Sequence, residues 1–140
     1  MLHSLALRDF VIVDQLELDF TEGFSVLTGE TGAGKSILLD ALGLALGERA
    51  DSSQIREGCQ RAEITAIFRI DNRLETEMNA WLEVHDLPLE DGGKSLILKR
   101  SIDHTGRSRS FINCSSASLN QHREAGDRLV VIHGQHAHQQ

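Results

Sequence analysis

One octapeptide, Gly29-Glu30-Thr31-Gly32-Ala33-Gly34-Lys35-Ser36, constrains this chain more than any other stretch. It fits G-x-x-x-x-G-K-[ST] at every fixed position. Glycines let the backbone turn tightly and bring its N–H groups close to phosphate oxygens. Those amides, with the N-terminus of a helix starting near Lys35, form an anion site. Lys35 then reaches the β- and γ-phosphates as a point charge, and the Ser36 hydroxyl suits a Mg²⁺ ion. Glu30, Thr31 and Ala33 contribute backbone atoms. The bland alternative is a glycine turn that holds no ligand. Context disfavours it, because an apolar strand precedes the loop and a helix follows.

The surrounding pattern predicts an α/β domain whose sheet is mixed and opens with an antiparallel meander. Residues 2–12 and 15–20 read as strands, with Leu16, Leu18 and Phe20 alternating with Glu17 and Asp19 and with Asp14 as the turn residue. Thr21-Glu22-Gly23 makes the next turn, and residues 24–28 form a buried strand leading into the loop. Residues 35–46 read as a helix apolar all round, hence buried, with Gly47 ending it. Residues 62–70 read as a strand and 74–85 as a helix carrying Leu74, Met78, Trp81 and Leu82. Residues 95–102 and 107–113 form a hairpin around Asp103-His104-Thr105-Gly106. Ser118 and Gln121 are spaced as a capping box; that helix should end near Gly126, and residues 128–132 should form a last buried strand.

Bulk properties narrow the function. The chain has 140 residues, enough for one domain with a core, and its net charge of −7 argues against coating nucleic acid by bulk electrostatics. Residues 37–46 are the most apolar run, but they contain Asp40 and are too short to span a bilayer. No signal-peptide pattern opens the chain, and Cys59 and Cys114 suggest no disulfide framework. The expectation is a cytoplasmic protein with no membrane partner.

Residues 5–20, the run from Val26 to Asp51, residues 101–113 and residues 131–139 together resemble the opening of the RecN family of DNA repair proteins, an SMC-like branch of the ABC-type ATPases. The resemblance implies a P-loop NTPase fold, the N-terminal lobe of an ABC/SMC-type ATPase head. It implies ATP and Mg²⁺ held by Gly29 to Ser36. Gln135 matches the glutamine loop, which in this class touches Mg²⁺ and the attacking water; an amide can accept from water without adding charge. The other reading of Gln135 is an ordinary polar residue at a strand end. Arg49 matches a position where SMC-like heads carry an arginine near nucleotide or DNA, and equally reads as a solvated loop residue. The implied partners are the C-terminal half of the same head, a second head in a homodimer, DNA and a recombinase, in a nucleoid-associated setting. Signature motif, acidic magnesium segment and coiled-coil heptads do not occur in these residues. The chain therefore reads as an N-terminal fragment or truncated product, one that binds nucleotide but hydrolyses it poorly by itself.

Other constellations carry less. His133, His136 and His138, with His104 and His122, suggest a metal site, but no ligand spacing supports it over a polar segment. Lys99, Arg100, Arg107 and Arg109 fall on the predicted hairpin and read either as contacts to DNA phosphates or as a charged edge that resists aggregation. A small P-loop kinase, a nucleotide-binding module without hydrolysis and a transporter motor remain as competing classes. The meander before the loop and Gln135 after it disfavour the kinase.

Overall fold

The computed structural model describes residues 1–20 and 32–137, with side chains placed for 1–20 and 34–129. The predicted turn at 21–23, the predicted strand at 24–28 and loop residues Gly29, Glu30 and Thr31 lie outside the described residues.

Six strands form one sheet in the order β2-β1-β3-β4-β5-β6. They are β1 (Leu2–Phe10), β2 (Val13–Asp19), β3 (Arg61–Arg69), β4 (Ser95–Asp103), β5 (Ser108–Ile112) and β6 (Ser115–Ala117). Every pairing among the described strands is antiparallel. Three α-helices accompany them among the described residues: α1 (Gly32–Ala45), α2 (Asn72–Val84) and α3 (Leu119–Ala137).

Alternation sorts the sheet into two faces. Register places Leu7, Ile64, Arg100 and Ser110 in one cross-strand row, and Leu5, Ala66, Leu98 and Ile112 in the next. All eight are buried, and α1 lies in the same core through Leu38, Ala41, Leu44 and Ala45. The opposite face carries Ala6, Thr65, Lys99 and Phe111, which are only half-buried.

Several local expectations need correction. Asp14 is not the turn residue; it lies in β2, and Phe10 pairs with Val13 across a turn at Val11-Ile12. Val11 adopts φ 55°, a left-handed conformation that β-branched residues avoid. Tertiary structure holds it there: Val11 N–H donates to Gln54 O at 2.7 Å, and Phe10 bridges to Ile55. The turn carries no glycine or asparagine, so local chemistry gave no signal.

Helix α1 is not apolar and buried all round. Leu39 is 50% exposed, and Lys35, Ser36 and Asp40 share its open face. The predicted strand at 128–132 does not form; those residues continue α3, and Gly126 does not end it. The β-branched Val130, Val131 and Ile132 favour a strand locally. Tertiary packing overrides that preference, because His122, Ala125, Gly126 and Leu129 recur at helical spacing and are all buried. A Cβ on Gly126 would stand 3.2 Å from Leu46 Cδ2 and 3.4 Å from Leu46 O. Gly126 thus marks where α3 runs close to the end of α1.

Other expectations are met. Ser118 Oγ accepts from Gln121 N–H at 3.0 Å while Gln121 Oε1 accepts from Ser118 N–H at 2.9 Å, the two arms of a capping box. Asp71 caps α2 by accepting from Leu74 N–H, and Leu74, Met78, Trp81 and Leu82 form its buried stripe. Asp103 closes the β4–β5 turn by accepting from Thr105 and Arg107 amides.

Candidate nucleotide site

Helix α1 builds the site from its N-terminal turn. Gly32, Ala33 and Gly34 open the helix three residues before the predicted start. Their backbone therefore supplies the first-turn amides, which stand at the positive end of the helix dipole. Lys35 and Ser36 follow and are both exposed. That first turn contains no acidic residue to repel an anion. Residues 32–36 thus fit a phosphate group and a magnesium ion chemically.

The opposite end of α1 is fixed with unusual completeness. Gly47 N–H donates to Leu44 O, and Glu48 N–H to Gly43 O, the paired bonds of a Schellman cap. Gly47 sits at φ 107°, where glycine alone is unstrained. Three side chains also donate to carbonyls at this end. Arg100 on β4 donates through one terminal nitrogen to Leu44 O at 2.6 Å and Glu48 O at 2.8 Å, and through the other to Ser108 Oγ at 3.3 Å. His122 on α3 donates from Nδ1 to Ala45 O at 2.9 Å, and Arg123 Nε donates to Gly47 O at 2.9 Å. Cations at a helix C-terminus oppose its partial negative charge.

Burial lowers the His122 pKa from its ordinary value, and the nearby Arg100 charge adds to this; carbonyls of Ala45 and Phe111 oppose it. The imidazole is therefore neutral at pH 7, with its proton on Nδ1. Arg100 is likewise lowered by burial first and by Arg123 second, but an arginine stays charged.

This geometry corrects one sequence reading. Arg100 is 0% exposed and cannot touch a DNA phosphate. In β4 Arg100 alternates with the buried Leu96, Leu98 and Ile102, a pattern that signals its burial but not its partners. Of the other hairpin cations, Arg107 and Arg109 are exposed, and Lys99 stands 4.0 Å from Glu63. Arg49 is exposed just beyond the C-terminal end of α1, a helix about 20 Å long, so it does not join Lys35 and Ser36. Gln135 lies within α3 rather than after a strand, and its side chain is outside the described residues. No cluster of three His, Cys, Asp or Glu suited to a metal occurs among the described residues.

Helix α3 is also tied to α2. Trp81 Nε1 donates to Glu124 Oε1 at 3.0 Å, Gln121 Nε2 lies 3.1 Å from His85 Nδ1, and the Arg128 guanidinium stands 5.5 Å from the Trp81 ring centroid. The helix carrying Gln135 is thus held by α2 on one side and the end of α1 on the other.

A family model described as an AAA domain matches residues 4–135. The chain belongs to the AAA-domain family. This AAA-domain chain is 49% identical to DNA repair protein RecN of Vibrio cholerae serotype O1 over 140 residues, covering 100% of this chain and 24% of that protein. It thus spans about a quarter of the length of the curated relative it matches. The RecN resemblance read from residues 5–20, 26–51, 101–113 and 131–139 is borne out over the whole chain. The fold is that of an SMC head. The Smc head domain with coiled coil and joint from Pyrococcus yayanosii superposes with TM-score 0.67 at 20% identity, covering 91% of this chain and 25% of that one. An SMC ATPase solved in work on ATP-driven dimerization and DNA-stimulated activation gives 0.66 at 21% identity, covering 88% and 75%. Nucleotide binding is the property its family implies. No helix among the described residues is long and apolar enough to cross a membrane.

Proposed function

We propose that this chain is the ATP-binding lobe of a RecN-like ATPase head acting in double-strand break repair and recombination. Gly29 to Ser36 hold the phosphates of ATP, with Lys35 on the β- and γ-phosphates and Ser36 on Mg²⁺. Magnesium, when bound, neutralises charge that develops on the transferred phosphoryl group. Gln135 orients the attacking water, and Arg49 meets nucleotide or DNA across an assembled head. The catalytic acid segment and signature motif come from a C-terminal half, and two heads pair around ATP. DNA and a recombinase are the further partners, in the nucleoid.

The observation that carries this reading is the phosphate pattern at the head of α1, with Lys35 and Ser36 exposed on its first turn. Similarity to RecN and to a dimerizing, DNA-stimulated SMC ATPase supports the rest. The test is calorimetry of Mg²⁺-ATP against this chain, followed by a phosphate-release assay with and without a separately produced RecN C-terminal half. Binding by the chain and hydrolysis only on mixing is the expected result. Phosphoryl transfer to a small acceptor by the chain alone would overturn it.

A further inference from the structure

We propose that Arg100 is a positioning residue for the phosphate site, acting through the C-terminal end of α1, with Arg123 as its weaker counterpart. The inference rests on the nucleotide reading above and extends it to a residue about one helix length from the phosphates.

Four facts lead there. Arg100 is fully buried in the core face of β4, a costly place for a cation. Its charge is met by carbonyls at the negative end of α1: Leu44 O in the last turn and Glu48 O just past the cap. Both bonds tie the sheet to this helix end across more than fifty residues of sequence. Arg123 adds a second cation on Gly47 O from α3.

A helix is stiff along its axis, so fixing one end fixes the direction of the other. The amides of residues 32–36 must converge on phosphate oxygens, and small tilts of the axis displace them. Two arginines anchoring the C-terminal end hold that axis against the sheet and against α3.

The test compares Arg100→Met, Arg123→Ala and Met78→Ala with the unaltered chain. Met78 is buried in α2 and serves as a comparator that lowers stability from a different helix. Mg²⁺-ATP affinity is measured where circular dichroism shows each protein folded, and hydrogen exchange is read at amides 34–38 without nucleotide. The expected result is a Kd raised about tenfold in Arg100→Met and less in Arg123→Ala, with faster exchange at 34–38 in both and neither change in Met78→Ala. Arg100→Lys, which keeps a charge near Leu44 O, should recover part of the affinity. Equal Kd and equal exchange in Arg100→Met and the unaltered chain would overturn the inference. So would a Met78→Ala variant that loses affinity as much as Arg100→Met. If Arg100→Met does not fold, the exposed Arg123→Ala decides by the same two readouts. Failure of the unaltered chain to bind ATP counts against the nucleotide reading itself, and exchange at 34–38 then decides the positioning role alone.

Discussion

His122 Nδ1 and the Ala45 carbonyl oxygen meet at 2.9 Å across 77 positions of sequence, and this bond joins α3 to the end of α1. It needs a proton on Nδ1, and burial keeps the second ring nitrogen unprotonated at pH 7. Burial pushes the folded pKa below the ordinary 6.5, so the unfolded chain binds more protons between the two values. Stability from this group is complete above about pH 6.5 and is lost as pH falls through that value toward the folded pKa. The expected outcome is a Tm that drops from pH 7.5 to pH 5.5, with a smaller drop in His122→Gln. An identical pH dependence in the two proteins would show that His122 is not the group responsible.

Lys35→Ala should abolish Mg²⁺-ATP binding, a loss of at least about tenfold in affinity, by removing the charge that faces the phosphates. Lys35 is exposed and contributes nothing to the core, so the Tm should stay within about 0.5 kcal/mol of the unaltered chain in equivalent stability. Calorimetry and thermal unfolding measure the two effects separately.

Gly47→Ala should destabilise the chain by more than about 1 kcal/mol. The residue stands at φ 107°, and a new Cβ would press on Arg123 Cγ and come within 2.9 Å of Arg123 N. Denaturant unfolding gives the number. An unchanged midpoint would mean that the α1 cap and α3 are not held in this arrangement.

Ser118→Ala removes one arm of the capping box and should cost about 1 kcal/mol. The Gln121 amide then loses its acceptor while Gln121 Oε1 keeps the backbone N–H of residue 118, and exchange should rise at the first amides of α3. Equal protection in both proteins would argue that α3 is held by α2 and α1 alone.

Much of the fold was legible because local pattern and global placement agreed. Strand β3 alternates cleanly, α2 carries its apolar residues at helical spacing between Asp71 and the turn before Pro88, and the β4–β5 turn follows from Asp103 and Gly106. The phosphate pattern likewise follows from eight consecutive residues, whose chemistry needs no distant partner. The turn at Val11 and the helix through residues 128–132 were not legible, because in both places a long-range contact outweighs the local preference.

By itself the sequence determined where the phosphate pattern lies and which strands alternate inward, since glycine spacing and period-two burial are local properties. Only the tertiary structure decided what Arg100, His122 and Arg123 do. Arg100 read as a hairpin cation and His122 as part of a polar segment. Each of the three donates to carbonyls at the end of α1 because folding brings that end within reach of a donor some fifty-two to seventy-seven positions away.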